Sequence, residues 1–152
     1  MCLAEDQDAV SRVRRMKGGP ASRPFIMLVE GFEMASRLAE ISDPEISAIL
    51  RDRWPGRLTV VLPALSDSPA WVTAEDGTVA LRHPSDALSG LLLRRIHRPL
   101  VSTSANLAGG QPALDPADIP RSLLDKADLI LDAGPIPHSS PSTIIRLLRG
   151  RT

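Results

Sequence analysis

Fourteen prolines in a chain of 152 residues fall mostly between short apolar runs, and no other feature limits the fold as tightly. Proline lacks the N–H that a β-ladder needs and suits turns, so it cuts a chain into brief segments with tight connections. The run Phe25-Ile26-Met27-Leu28-Val29 reads as a buried strand. Trp54-Pro55-Gly56 is a turn feeding Leu58-Thr59-Val60-Val61-Leu62, a β-branched strand halted by Pro63. Asp76-Gly77 signals a hairpin, and Thr78 to Arg82 continues the sheet. Leu100 to Thr103, Asp128 to Asp132 and Ser142 to Leu148 are also of strand length, and Trp71-Val72-Thr73 is read as a brief strand.

Between these runs the spacing of apolar residues turns helical. Asp8 is placed to cap a helix through about Met16, with Ala9, Val10, Val13 and Met16 on one stripe. Lys17-Gly18-Gly19-Pro20 ends it. Residues 33 to 40 carry Met34 and Leu38 on one side, with Ile41 following, and Pro44 suits the first position of a helix reaching about Asp52. Ser85 is placed to cap a helix carrying Leu88, Leu91, Leu92 and Ile96. The expectation is one mixed α/β (α+β) domain over residues 1–152, with six or seven strands and several covering helices. Aromatic residues make up only 3%, so its core is aliphatic.

Lysine plus arginine number 18 and aspartate plus glutamate 18, so no global charge drives the protein onto nucleic acid or a membrane. The distribution is uneven. Between Ser11 and Val29 stand Arg12, Arg14, Arg15, Lys17 and Arg23 with no carboxylate among them. That run reads either as a patch that meets phosphates or as a solvated helix face plus a loop. Cys2 is the only cysteine, which leaves no internal disulfide and points to a reducing compartment. No stretch approaches the roughly 20 apolar residues of a membrane span, and the acidic start lacks a signal-peptide pattern. No membrane association and a cytoplasmic location are expected.

Neither GxGxxG nor GxxxxGK[ST] occurs, and no G-x-S-x-G elbow is present. His83, His97 and His138 are dispersed without a metal-ligand spacing, so no protein metal site is expected. Three polar segments remain. Lys17 to Pro24 combines glycines with Lys17 and Arg23, the residues a close-approaching phosphate or carboxylate needs; it reads equally as a helix end. Ser102-Thr103-Ser104-Ala105-Asn106 follows an apolar strand and offers short-range donors and acceptors to a small ligand, or ties up its own turn. Ser139-Ser140-Pro141-Ser142-Thr143 sets hydroxyls at a strand entrance, for phosphate oxygens or for the turn itself.

In order, the lysine–glycine segment with its Arg23-Pro24 step, RWPGRLTVVLP, VALRHP, PLVSTSANLAGG and SPSTII run across nearly the whole chain. This set resembles the Sua5/YrdC/YciO family, the threonylcarbamoyl-AMP synthases of tRNA modification and their relatives. The resemblance implies a single YrdC-like domain, a twisted mixed sheet covered by helices, and a concave basic cavity. It implies a nucleotidyltransferase that turns L-threonine, bicarbonate or CO2, and ATP into L-threonylcarbamoyladenylate and diphosphate. Mg2+ would ride mainly on the triphosphate. The product would pass to tRNA threonylcarbamoyltransferase proteins that modify adenosine 37. By the same resemblance Lys17 and Arg23 are catalytic cations, and Arg82, Ser102, Ser104, Asn106, Ser142 and Thr143 join them in binding substrate or nucleotide.

Two departures from the family pattern stand beside this. Members usually open with a strand and a PTDTVYG-like segment, whereas Cys2-Leu3-Ala4 resembles the stretch immediately after that segment, so one strand and one pocket wall are expected to be missing. Gly19 stands where active members carry arginine. Loss of that charge-assisted contact, roughly 1.5–3 kcal/mol, implies a deficit of about one to two orders of magnitude. The alternative reading is a catalytically degenerate relative that binds nucleotide or double-stranded RNA through the basic run.

Overall fold

The computed structural model describes residues 1–18, 24–136 and 141–147. In chain order the elements are β1 (Cys2–Leu3), α1 (Gln7–Lys17), β2 (Ile26–Leu28), α2 (Phe32–Leu38), α3 (Pro44–Arg53), β3 (Leu58–Pro63), β4 (Thr78–Arg82), α4 (Ala87–Ile96), β5 (Leu100–Ser102), α5 (Arg121–Leu124) and β6 (Thr143–Arg146). A short 3-10 turn, Pro116–Asp118, precedes α5. Six strands form one sheet in the order β1-β5-β2-β4-β3-β6. β2 with β4 and β3 with β6 run parallel, while the other neighbours run antiparallel. This is the mixed α/β sheet that the alternation of runs predicts.

Side chains alternate across a strand, so the register sorts the residues into two faces. On one face Val101, Met27, Leu81 and Val60 follow one another across the sheet. They lie in a single core with Val10 of α1, Leu38 of α2 and Leu50 of α3. The opposite face presents Ser102, Ile26, Ala80, Val61 and Arg146 in matching register. At one end of that face Leu93 of α4 packs on Leu28 and Leu100, and makes a second, smaller core. One face is therefore the foundation, and much of the other is left for something else.

Several expectations shift. Asp6, not Asp8, caps α1, accepting from the Ala9 amide at 2.9 Å; Asp8 sits in the first turn, where its charge favours the helix dipole instead. Asp86, one residue beyond Ser85, likewise caps α4 through the Ser89 amide. Pro63 does not halt β3 but is its last paired residue, opposite Thr78. Trp71-Val72-Thr73 is a turn: the Val72 and Thr73 amides both donate to the Pro69 carbonyl, and the Trp71 indole to Ala4. Asp128 to Asp132 is no strand. Leu129 is 74% exposed and Ile130 55%, and no ladder partner is assigned to the segment among the described residues. Apolar, strand-length composition becomes a strand only where a neighbour completes its hydrogen bonds. In the final run the paired part is Thr143–Arg146, and Leu148 lies outside the described residues.

The turn before β3 is sewn to the end of β4. Trp54 is buried, its indole donates to the Leu58 carbonyl at 2.9 Å, and the Trp54–Pro55 peptide is cis. The Gly56 amide donates to the His83 carbonyl at 2.8 Å, and the Gly56 carbonyl accepts from Arg82 Nε at 3.0 Å. A Cβ on Gly56 would lie 2.3 Å from the Arg53 carbonyl oxygen, a backbone atom that cannot step aside cheaply. Gly56→Ala is therefore expected to cost about 2–4 kcal/mol and to lower the melting temperature by roughly 5–12 °C. A circular-dichroism melt checks it; an unchanged midpoint contradicts the clash.

His83 stands edge-on to Trp54, with ring centroids 6.4 Å apart. Burial pushes its pKa below the ordinary 6.5, opposed by Glu30 and reinforced by Arg94. The unfolded chain then binds the His83 proton more readily than the folded one. Its contribution to stability is complete above pH 6.5 and is lost as pH falls through the depressed folded value. Melting temperatures taken from pH 8 to pH 5 should fall more steeply for the native chain than for His83→Gln.

Candidate active site on the open face of the sheet

The open face, the end of α1 and two polar loops enclose a cavity of about 590 Å³. That lies within the roughly 300–1,000 Å³ typical of small-molecule sites. α1 supplies Arg14 and Lys17, one helical turn apart, and the entry to β2 supplies Phe25 and Ile26. The exit of β5 brings Ser102, Thr103, Ser104 and Asn106, and the entrance to β6 adds Ser142 and Ile144. The second polar segment and the described parts of the first and third thus meet at one place, although they are far apart in the chain.

Lys17 is the clasp. Its ammonium donates to the Ser104 carbonyl at 2.8 Å, the Asn106 carbonyl at 2.5 Å and Asn106 Oδ1 at 3.0 Å. Its own carbonyl accepts from the Ala108 amide at 2.9 Å. Gly18 ends α1: it adopts φ 64°, and its amide closes the helix on the Arg14 and Arg15 carbonyls. A half-buried cation is held against carbonyl oxygens at the rim of the cavity, and the β5 loop takes its shape from it.

Asn106 completes the loop. It is 9% exposed. Its Nδ2 donates to the Leu107 and Gly110 carbonyls at 2.8 and 2.6 Å, and Oδ1 accepts from Lys17 and from Ser104 Oγ. A side-chain amide has two donors and two acceptor sites, so its capacity is used within the protein. Here Asn106 shapes the wall, while Ser104 is exposed at the cavity.

The remaining candidates separate. Ser142 lines the cavity. Thr143 turns away by strand alternation, its amide donating to the Arg57 carbonyl at 2.9 Å. Arg82 shares the open face but does not line the cavity; its Nε is engaged by Gly56. Burial, with Arg57 nearby, pushes the Arg82 pKa down from its usual value, although Asp86 opposes this. Arg23 and Gly19 lie outside the described residues.

Two features, one lining the cavity and one buried beside it, were not singled out from the sequence. Arg14 lies over the Phe25 ring, 4.7 Å from its centroid, and donates to the Trp71 carbonyl at 2.8 Å, which holds its guanidinium at the cavity wall. The i, i+3 spacing to Lys17 is the signal that could have found it. Thr59 is a fully buried hydroxyl beside Ser142; a lone hydroxyl within a β-branched strand was its only mark. The basic run is also divided. Arg12 pairs with exposed Asp128, Arg14 and Lys17 line the cavity, and Arg15 is exposed.

A mixed sheet with one packed face and one face hollowed into a polar, lysine-clasped cavity describes a small-molecule-binding α/β domain. A family model named Sua5_yciO_yrdC, described as "Telomere recombination", matches residues 1–152, and the chain belongs to that family. It is 32% identical over 145 residues to the Threonylcarbamoyl-AMP synthase of Coxiella burnetii (strain RSA 493 / Nine Mile phase I), covering 95% of this chain and 77% of that protein. Against the Threonylcarbamoyl-AMP synthase of Pyrococcus abyssi the identity is also 32%, but this chain spans only 42% of that relative's length. The crystal structure of P. abyssi Sua5 complexed with L-threonine superposes with a TM-score of 0.88, over 95% of this chain and 43% of that one. E. coli YciO gives a TM-score of 0.85 at 27% identity, covering 96% and 71%. Among the described residues no helix is long and apolar enough to cross a membrane.

Asn106→Ala should free the β5 loop while sparing the distant core. Amide hydrogen exchange at Ser104 to Gly110 is expected to quicken by roughly tenfold or more, since several buried hydrogen bonds at about 1 kcal/mol each are lost. Exchange in β3 and β4 should change little; uniform acceleration would instead mark global destabilisation.

Proposed function

We propose that this chain is an L-threonylcarbamoyladenylate synthase, using L-threonine, bicarbonate or CO2, and ATP for tRNA modification. The observation that carries this reading is the convergence of Lys17, Ser104 and Ser142 from three distant segments on one cavity. The Coxiella relative, similar over most of both chains, bears the name of that synthase, and the Pyrococcus structure contains L-threonine.

The chemistry asks for orientation more than for a covalent nucleophile. The threonine amine takes up CO2 to form a carbamate, a carbamate oxygen attacks the α-phosphorus of ATP, and diphosphate leaves. The carbamate decomposes readily, so it must be held against the α-phosphate. Lys17 and Arg14 supply positive charge at one wall, with Arg23 the further candidate, where the transition state gathers anionic oxygen. Ser142 offers a directional hydroxyl, and Ser104, whose proton goes to Asn106 Oδ1, an accepting oxygen; Phe25, Ile26 and Ile144 offer an apolar surface for a base or a methyl group. Mg2+ would enter as a companion of the triphosphate. Among the described residues no three His, Cys, Asp or Glu side chains converge to hold a metal, so phosphate oxygens and water would supply most of its ligands. The product would serve tRNA threonylcarbamoyltransferase proteins, which implies a cytoplasmic setting.

The RNA-binding alternative needs the basic run to act as one outward face. With Arg12 paired to Asp128, and Arg14 and Lys17 at the cavity, that face is broken up.

An assay following radiolabelled L-threonine into threonylcarbamoyladenylate, dependent on ATP and bicarbonate, tests the proposal. The native chain should form product, and Lys17→Ala should reduce the rate by about 100-fold or more. Absence of product from well-folded native chain would reject it, and equal rates in the two proteins would remove Lys17 from the chemistry.

A further inference from the structure

Ser142 reaches the cavity from the loop that enters β6, and loop hydroxyls usually rotate freely among rotamers. Here it is bracketed. The amide of the next residue, Thr143, donates to the Arg57 carbonyl at 2.9 Å and fixes the backbone. On the side-chain side, Ser142 Oγ lies 2.9 Å from Thr59 Oγ1, across 83 residues of chain. Thr59 has no exposure at all, and it does not line the cavity. It stands on β3, where Thr59 pairs with Ile144 in the parallel ladder to β6. A hydroxyl in that position has little to gain from the apolar residues of its own strand, and a buried hydroxyl without a partner costs stability. Valine would fill the same space without that demand. The polar atom is explained by what it holds.

We propose that Thr59 is a positioning residue whose buried hydroxyl aims Ser142 Oγ at an anionic oxygen of the substrate in the cavity. The inference rests on the synthase reading for the identity of that substrate. Its direction comes from hydrogen-bond chemistry. A carboxylate or phosphate oxygen only accepts, so Ser142 must donate its one proton to the ligand. The bond between the two hydroxyls then runs one way, with Thr59 donating and Ser142 accepting. That second bond withdraws density from Ser142 Oγ, making it a stronger donor toward the ligand. The carboxylate of L-threonine and the phosphates of ATP share this chemistry, and separate measurements of the two substrates distinguish them.

The test is a double-mutant cycle of Thr59→Val and Ser142→Ala, with Thr59→Ser as the conservative control. Thr59→Val keeps shape and volume and removes the donor. It should weaken one substrate by roughly 3- to 10-fold, read as KM and as calorimetric affinity, and leave the other within twofold. The substrate that weakens identifies the anion. Thr59→Ser should restore native affinity. In the Ser142→Ala background Thr59→Val should change nothing further, because the group it orients is gone. A merely structural role would lower the melting temperature and add its effect in both backgrounds, and that result would overturn the proposal. A crystal structure of Thr59→Val supplies a readout independent of activity: Ser142 should occupy more than one rotamer, and a single native rotamer at full occupancy would overturn positioning. Calorimetric binding of a substrate without turnover would reject the synthase reading while the cycle still decides the role of Thr59.

Discussion

Three oxygen atoms of the β5 loop converge on the ammonium of Lys17, and most of the site's geometry depends on that clasp. A lysine at a helix end is ordinarily a solvated, mobile charge. This one, in the last turn of α1, reaches the Ser104 and Asn106 carbonyls and the Asn106 amide oxygen. The helix and the loop become a single piece. Asn106 carries the same constraint onward to Leu107 and Gly110, so a polar segment with no regular structure acquires a defined surface without contributing to the core. The charge that shapes the wall also stands at the lining of the cavity.

The second organising fact is the unequal use of the sheet's faces. Met27, Leu81, Val60 and Leu62 bury one face against α1, α2 and α3, an aliphatic core in keeping with the scarcity of aromatic side chains. The other face is covered at one end, where Leu93 meets Leu28 and Leu100. Ile26, Ser102 and Ile144 on the remainder border open space. A floor built on rigid strands and walls built on loops is a common division of labour in binding sites, because the strands fix distance and the loops supply polar groups.

How much of this was legible in the sequence depends on whether the decisive partner is near or far in the chain. β3 and β4 could be read because β-branched alternation and a bounding turn are local signals, and Pro44 announced α3 for the same reason. The caps at Asp6 and Asp86 were each missed by one or two residues, since neighbouring Asp and Ser side chains are chemically equivalent until backbone angles choose between them. Asp128 to Asp132 has the composition of a strand, yet a ladder requires a neighbour that no local pattern specifies. β1 is only two residues long and exists because Cys2 meets Val101. For the site, the polar segments were visible but their grouping came from resemblance, not from spacing. That Asn106 spends its whole hydrogen-bonding capacity internally, and that Arg14 turns inward onto Phe25, are long-range outcomes that neither propensity nor motif encodes.

The parallel pairing of β3 with β6 has a kinetic meaning. A parallel neighbour cannot be reached by a tight turn, and β6 closes on β3 only after most of the chain between them has been laid down. Ser142 and Ile144 arrive in the cavity with that strand. A partly folded chain, with β2, β4 and β5 already paired, would have the Lys17 wall but no opposing one, and could not grip a ligand from both sides. A bound ligand touching Ser142 and Ile144 would favour the state in which this edge strand is paired, so binding and closure of the sheet edge would be linked.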